Sequence, residues 1–404
     1  MTNVSINKES HLNLLGTKTK IAFAVIISYV TSYSANIFDI YFPQDLYSYN
    51  KFLVFGLAGI ILINHYLNRK VQLKAPGFLW FNIFFGYALL HGLYPGGDRY
   101  LDIAMGLLKV YTLFLVIINL FKTRKDYTIL GIVYTAVTTI VIAVYYIHAK
   151  RYGWQSRITS ELLGFFVNAN TMSYISTLAF ITFMFATRNR RFKGRLLSQL
   201  CILAGAATII NANGSIGAAF FLALAVVFTM FKLENAKVLL LSVCIIFIIG
   251  YVYYKYAPYT ELIIQRIENK IEIGQAGERF YLIRIAFDAF WDKPVWGKGY
   301  DSLWVYPGES INHLWYLNVL VAYGILGLLF VFIWFSSIFP VRRLFISRYS
   351  TILTGYILIF LLLSPLVTYI SMAMAFLYRE MHQRSFIKLN MNRQRRKTEE
   401  AFLI

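Results

Sequence analysis

The stretch GERFYLIR places Arg279 and Arg284 about one and a half turns apart within a run of helical apolar spacing. An arginine near a helix start lies beside free N–H groups and the positive end of the helix dipole, which favours a bound anion. Guanidinium also grips phosphate through a bidentate fork. Arg279 therefore reads as a pyrophosphate ligand. Arg284 has two readings, a second phosphate cation or the i,i+4 partner of Asp288 on a surface helix. Arg157 precedes GFFVNANTMSY in a break that also holds Lys150 and Arg151; either it meets an anionic head group or it is ordinary surface charge. Asn312-His313 supplies an imidazole whose usual pKa, near 6.5, suits it to take a proton from a hydroxyl. A structural histidine is the competing reading, and His91 and His148 compete for the same role. Asn168, Asn170, Thr171 and Ser173, then Asn211, Asn213 and Ser215, stand at span ends. They suit either a hydroxyl-rich ligand such as a sugar or bonds between helices. Lys109 is a charge within an apolar run, a functional candidate by default or a snorkelling side chain.

These residues must be positioned by a membrane fold. Of 404 residues, 58% are apolar and 14% charged, whereas a soluble domain is about a quarter charged. A bilayer core about 30 Å thick needs about 20 apolar residues per helix, and such runs recur throughout. Val238 to Tyr254, VLLLSVCIIFIIGYVYY, excludes the alternation of a β-barrel. The net charge of +20 sits mostly in short breaks between spans, which argues for orientation in a bilayer and against nucleic acid. Cys201 and Cys244 lie in apolar runs, so neither a disulfide framework nor a cysteine metal site is expected. The polar N-terminus reads as a cytoplasmic tail rather than a cleaved signal.

Spans are expected near 21–40, 52–67, 76–94, 102–121, 128–148, 163–186, 197–212, 216–232, 238–255 and 314–339, with a last apolar stretch over 350–378. NRKVQLK (68–74), KTRK (122–125), TRNRRFKGR (187–195) and VRRLFISR (341–348) fall on one side by parity, with the N-terminus; the positive-inside rule makes that side cytoplasmic. The last stretch divides at Ser364-Pro365 into two short or re-entrant helices, so that the basic tail returns inside; eleven crossings is the alternative. The expected fold is all-α: one transmembrane domain over 1–404, about 12 helices, a large extracytoplasmic loop over 256–312 carrying short surface helices, and a basic cytoplasmic tail over 379–404.

Four stretches in order resemble the bacterial O-antigen ligase and O-antigen polymerase superfamily. They are RITSELLGFFVNANTMSY (Arg157 to Tyr174), NGSIGAAF (Asn213 to Phe220), GERFYLIRIAFDAFWDKPVWGKGY (Gly277 to Tyr300) and NHLWYLNVLVAYGILG (Asn312 to Gly327). The resemblance covers about the last 250 residues; the first 150 match only as generic spans. Ile216 stands where the family carries an arginine, so Arg157 or Lys298 would have to compensate, and the usual His-Asn order is reversed at Asn312-His313.

The resemblance implies transfer of a glycan from an undecaprenyl-pyrophosphate carrier to an acceptor hydroxyl, without nucleotide sugar, metal or other cofactor. It implies His313 as base; Asp288, Asp292 and Asp301 are available in the sequence as alternative bases. Arg279, Arg284 and Arg157 would hold the pyrophosphate, and Asn168, Asn170, Ser215, Lys298 and Asn312 would line the substrate site. The expected setting is the bacterial inner membrane, with a chain-length regulator and a flippase as further partners. A polymerase of repeat units is the leading reading. A ligase placing finished glycan on lipid A core is the alternative, and a transporter or flippase of lipid-linked glycan stands further off. Transporters carry inverted repeats and midplane charges, whereas polar content here gathers in one loop.

Overall fold

The computed structural model describes residues 16–32, 49–67, 73–92, 100–151, 169–188, 195–213, 216–230, 275–298, 304–306, 309–310, 315–345, 347–363 and 370–382. These form α1 (Thr17–Ser32), α2 (Tyr49–Leu67), α3 (Phe78–Gly92), α4 (Tyr100–Leu120), α5 (Arg124–Arg151), α6 (Ala169–Thr187), α7 (Arg195–Asn213) and α8 (Ile216–Met230). There follow α9 (Gln275–Asp292), α10 (Trp315–Ile338), α11 (Val341–Leu344) and α12 (Arg348–Leu363), then α13 over 370–382. The protein is helical apart from one antiparallel ribbon, β1 (Trp304–Tyr306) with β2 (Glu309–Ser310), in which Trp304 faces Ser310 and Tyr306 faces Glu309. The expected span over 238–255 and residues 256–274, the first third of the expected loop, lie outside the described residues.

Three described helices are long and apolar enough to cross a bilayer: Ile103–Leu120, Arg124–Ala143 and Trp315–Ile338. Shorter apolar helices accompany them, Phe78–Gly92 and Met172–Thr187 among others. The last apolar stretch is two short helices, α12 and α13, on either side of 364–369. Residue 379 falls inside α13 rather than at the head of a tail.

The core is a continuous apolar cluster, with α1 packed on α5, α5 on α6, and α3 on α10. Tyr127, Tyr134, Phe114, Phe180 and Phe376 are among its fully buried side chains. Buried hydroxyls in α6 are satisfied within their own helix: Ser176 Oγ donates to Met172 O at 2.7 Å and Thr177 Oγ1 to Ser173 O at 3.0 Å. Such back-bonding removes the need for a polar partner inside an apolar bundle.

The basic breaks meet at one end of this bundle. Thr123 and Asp126 form a reciprocal cap on α5: Asp126 N donates to Thr123 Oγ1 at 3.2 Å, and Thr123 N donates to Asp126 Oδ2 at 2.9 Å. Lys20 closes the same carboxylate from α1 at 2.8 Å. Lys74 N donates to Asn119 Oδ1 at 2.9 Å, tying the 68–74 break to the end of α4. Burial, with Lys74 and Lys20 nearby, pushes the Lys122 ammonium below its ordinary pKa. Arg188 reaches Glu380 of α13 at 2.7 Å, and Arg343 acts on His382. The cationic breaks expected on one side are thus neighbours in space, and α13 ends among them.

Candidate active site

At the opposite end, a small second core joins α9 to the first half of α10. Ala286, Ala289 and Phe290 pack on Leu317 and Val321. Spacing of three and four residues puts the α9 members on one stripe. Its other face is exposed and carries Arg284, Phe287, Asp288 and Trp291.

α10 is broken at Gly324, whose φ of 65° and ψ of −167° lie outside helical geometry. A break inside an apolar helix leaves backbone groups without partners, which is tolerable only if protein supplies them. Here the segment following α9 does so. Lys298 N donates to Val321 O at 2.8 Å, and Ile325 N donates to Pro294 O at 2.9 Å. Leu326 N donates to Val295 O at 3.4 Å. From α3, Tyr87 Oη donates to Tyr323 O at 3.0 Å and shares its proton with Trp296 O at 3.3 Å.

The two backbones touch at glycines. A Cβ on Gly324 would lie 2.3 Å from Val295 O, and one on Gly297 (φ 84°) would lie 2.4 Å from Ala322 O. Both positions combine positive φ with close backbone approach, so glycine is required twice over. Aromatic rings surround the junction. His91 lies 4.7 Å from the Tyr87 ring and 5.7 Å from that of Tyr323, and Trp296 lies 6.2 Å from Tyr87.

The residues read from sequence fall as follows. Arg279 sits in the second turn of α9 rather than at its start, and its side chain is outside the described set, as is that of Asn170 in α6. Arg284 is exposed, and among the described residues no ion pair joins it to Asp288. Lys298 is exposed and pairs with Asp292, so neither of the two is a bare charge. His313, Asn312, Arg157, Asn168 and Ser215 lie outside the described residues. Lys109 is partly buried in α4. Among the described residues, no three His, Cys, Asp or Glu side chains gather as a metal ion requires.

Residues 199–332 match the family described as O-antigen ligase, a segment that runs from α7 through α9 and past the break in α10. Over this stretch, about a third of the chain, the sequence is similar to the O-antigen ligase and polymerase superfamily. No curated protein matches the chain, and no solved structure does. The likeness supports a membrane setting, a lipid-linked glycan substrate and glycosyl transfer of the ligase or polymerase type.

The matched segment contains both contact glycines and the break in α10, so the junction is built largely within the matched residues. Tyr87 lies outside it. Sequence reading passed over this tyrosine because nothing in an apolar span distinguishes a packed ring from one that bonds a carbonyl. Its place one turn before His91, at a helix end, is the signal that could have found it.

Proposed function

We propose that the chain is a polysaccharide polymerase that moves a repeat-unit glycan from an undecaprenyl-pyrophosphate carrier to an acceptor sugar hydroxyl outside the cytoplasm, without a metal. One observation carries the reading: α9 is fastened to α10 at the break. Because the segment after α9 is pinned at 321–326 while α9 packs on Leu317 and Val321, α9 leaves that point toward the start of α10. Arg279 stands in the first half of α9. That arrangement supports Arg279 and His313 serving one site.

In this mechanism Arg279, with Arg284 and Arg157, holds the diphosphate. Arg284 stands exposed beside Phe287 and Trp291, a combination suited to a charged head with an apolar tail. His313 accepts the proton of the acceptor hydroxyl. The acceptor oxygen bonds to the anomeric carbon as the bond from that carbon to the diphosphate oxygen breaks. The diphosphate departs with the electron pair, and the arginines stabilise the charge that develops on it. Asn168, Asn170, Ser215, Lys298 and Asn312 would contact the sugars.

The clustered basic breaks support placing that end in the cytoplasm, and α12 and α13 support an even number of crossings, twelve in all. The segment 256–312 would then be extracytoplasmic. The ligase reading is favoured by the description of the matched family. Gel analysis of surface glycan in a deletion strain separates the two. A single repeat unit on the acceptor supports the polymerase; accumulated long lipid-linked glycan overturns it in favour of the ligase.

A further inference from the structure

The basic end of the bundle holds an arginine cluster that the glycan chemistry does not use. Arg188 is fixed by Glu380 at 2.7 Å and by two rings, its guanidinium lying 4.4 Å from the Phe185 centroid and 5.0 Å from that of Tyr349. Arg379, one residue before Glu380, lies 5.8 Å from the Tyr127 centroid, and its Nε is buried without a hydrogen-bond partner. Arg124, exposed at the first residue of α5, feels Arg188, Arg379 and Glu380 together. Among the described residues, Arg124 and Arg379 thus stand near the Glu380 carboxylate that Arg188 contacts.

A guanidinium stays charged at any physiological pH, so this locus keeps its excess positive charge. Arg379 is half-buried as a residue while its Nε is enclosed without an acceptor, so part of the guanidinium's hydrogen-bonding capacity is unused within the bundle. The surroundings indicate what kind of group would use it. Leu196 and Leu197 are exposed immediately after Arg195, and Arg195 acts on the Tyr349 that packs under Arg188. Val341 and Phe345 are exposed on either side of Arg342 and Arg343. Cations bordered by bare aliphatic and aromatic surface suit a phosphate that carries acyl chains better than a free ion.

We infer that Arg124, Arg188 and Arg379 form a binding site for the phosphate headgroup of an anionic phospholipid in the leaflet at the basic end of the bundle. The phosphodiester would accept from the Arg379 and Arg124 guanidiniums, while Glu380 and the Phe185 and Tyr349 rings hold Arg188 in place. The inference is independent of the polymerase reading and of Arg279.

The test is native mass spectrometry of the full chain in neutral detergent, titrated separately with phosphatidylglycerol, phosphatidylcholine and glycerol phosphate. Phosphatidylglycerol should be retained in preference to phosphatidylcholine, and glycerol phosphate should not be retained. Arg379→Gln and Arg124→Gln should each weaken phosphatidylglycerol by about tenfold, the loss of a charge-assisted hydrogen bond. Lys125→Gln, an exposed cation next to Arg124, should leave it unchanged. Arg124 is exposed, so its variant keeps the test decisive if Arg379→Gln fails to fold. Equal retention of the two lipids, tight binding of glycerol phosphate, or an equal loss in Lys125→Gln would each overturn the site.

Discussion

Replacing Gly324 by alanine tests the junction that carries α9. Its φ and ψ, 65° and −167°, belong to a region open essentially only to glycine, where a residue with a Cβ pays about 2 kcal/mol. The helix has an alternative, because alanine stabilises a continuous α10 by about 1 kcal/mol relative to glycine. Together these favour a straight helix with the loop released by about 3 kcal/mol, roughly a hundredfold in the docking equilibrium. The Cβ contact with Val295 O at 2.3 Å adds to this, because a backbone carbonyl cannot swing aside as a side chain can. Once α10 straightens, its ladder closes on itself, and Pro294, Val295 and Lys298 lose their partners. The variant should insert normally and fail to build polymer. The assay is complementation of a deletion strain, with protein level read from a fluorescent fusion and polymer from a surface-glycan gel. Normal-length polymer at normal protein level would refute the fastening of α9 through this break.

Tyr87→Phe removes one shared hydroxyl donor, worth about 1 kcal/mol, so polymer yield should fall several-fold and less than in Gly324→Ala; the same gel reads both. Arg188→Ala removes the Arg188 ion pair from the Glu380 carboxylate, 2% exposed, a loss of at most about 3–5 kcal/mol. The melting temperature in detergent should drop, and adding Glu380→Gln should restore part of it. Lys122 has a lowered pKa in the fold, from burial first and then from Lys74 and Lys20. Its charged form is therefore disfavoured in the native state, a cost that is full below that lowered pKa and disappears as pH rises to the ordinary lysine value. Lys122→Gln should raise the melting temperature at neutral pH, and the advantage should shrink at alkaline pH.

Much of the fold was legible because apolar length is a one-dimensional property. The spans expected near 102–121, 216–232 and 314–339 correspond to α4, α8 and α10. The basic breaks, assigned to one side by parity alone, meet through Lys20, Lys74, Lys122 and Arg188. The amphipathic pattern of ERFYLIRIAFDAFWD became α9, with its apolar stripe on α10. The break at Gly324 was not legible. YGILG reads as continuous span, and only the approach of a segment some 30 residues earlier makes the interruption stable. The ribbon of β1 and β2 was missed for a related reason, since five residues carry too little periodicity to distinguish a strand from a turn. Arg284 stands exposed in α9, and among the described residues no ion pair joins it to Asp288. The turn after α9 places the Lys298 ammonium against Asp292, a pairing that sequence spacing alone does not reveal.

The most direct measurement is turnover by the purified chain in proteoliposomes loaded with polyprenyl-diphosphate-linked repeat unit. Wild-type protein should release one polyprenyl diphosphate for each glycosidic bond formed, and Arg279→Ala should do neither while remaining folded and inserted. Release and elongation at the wild-type rate by Arg279→Ala would contradict the assignment of the diphosphate to α9.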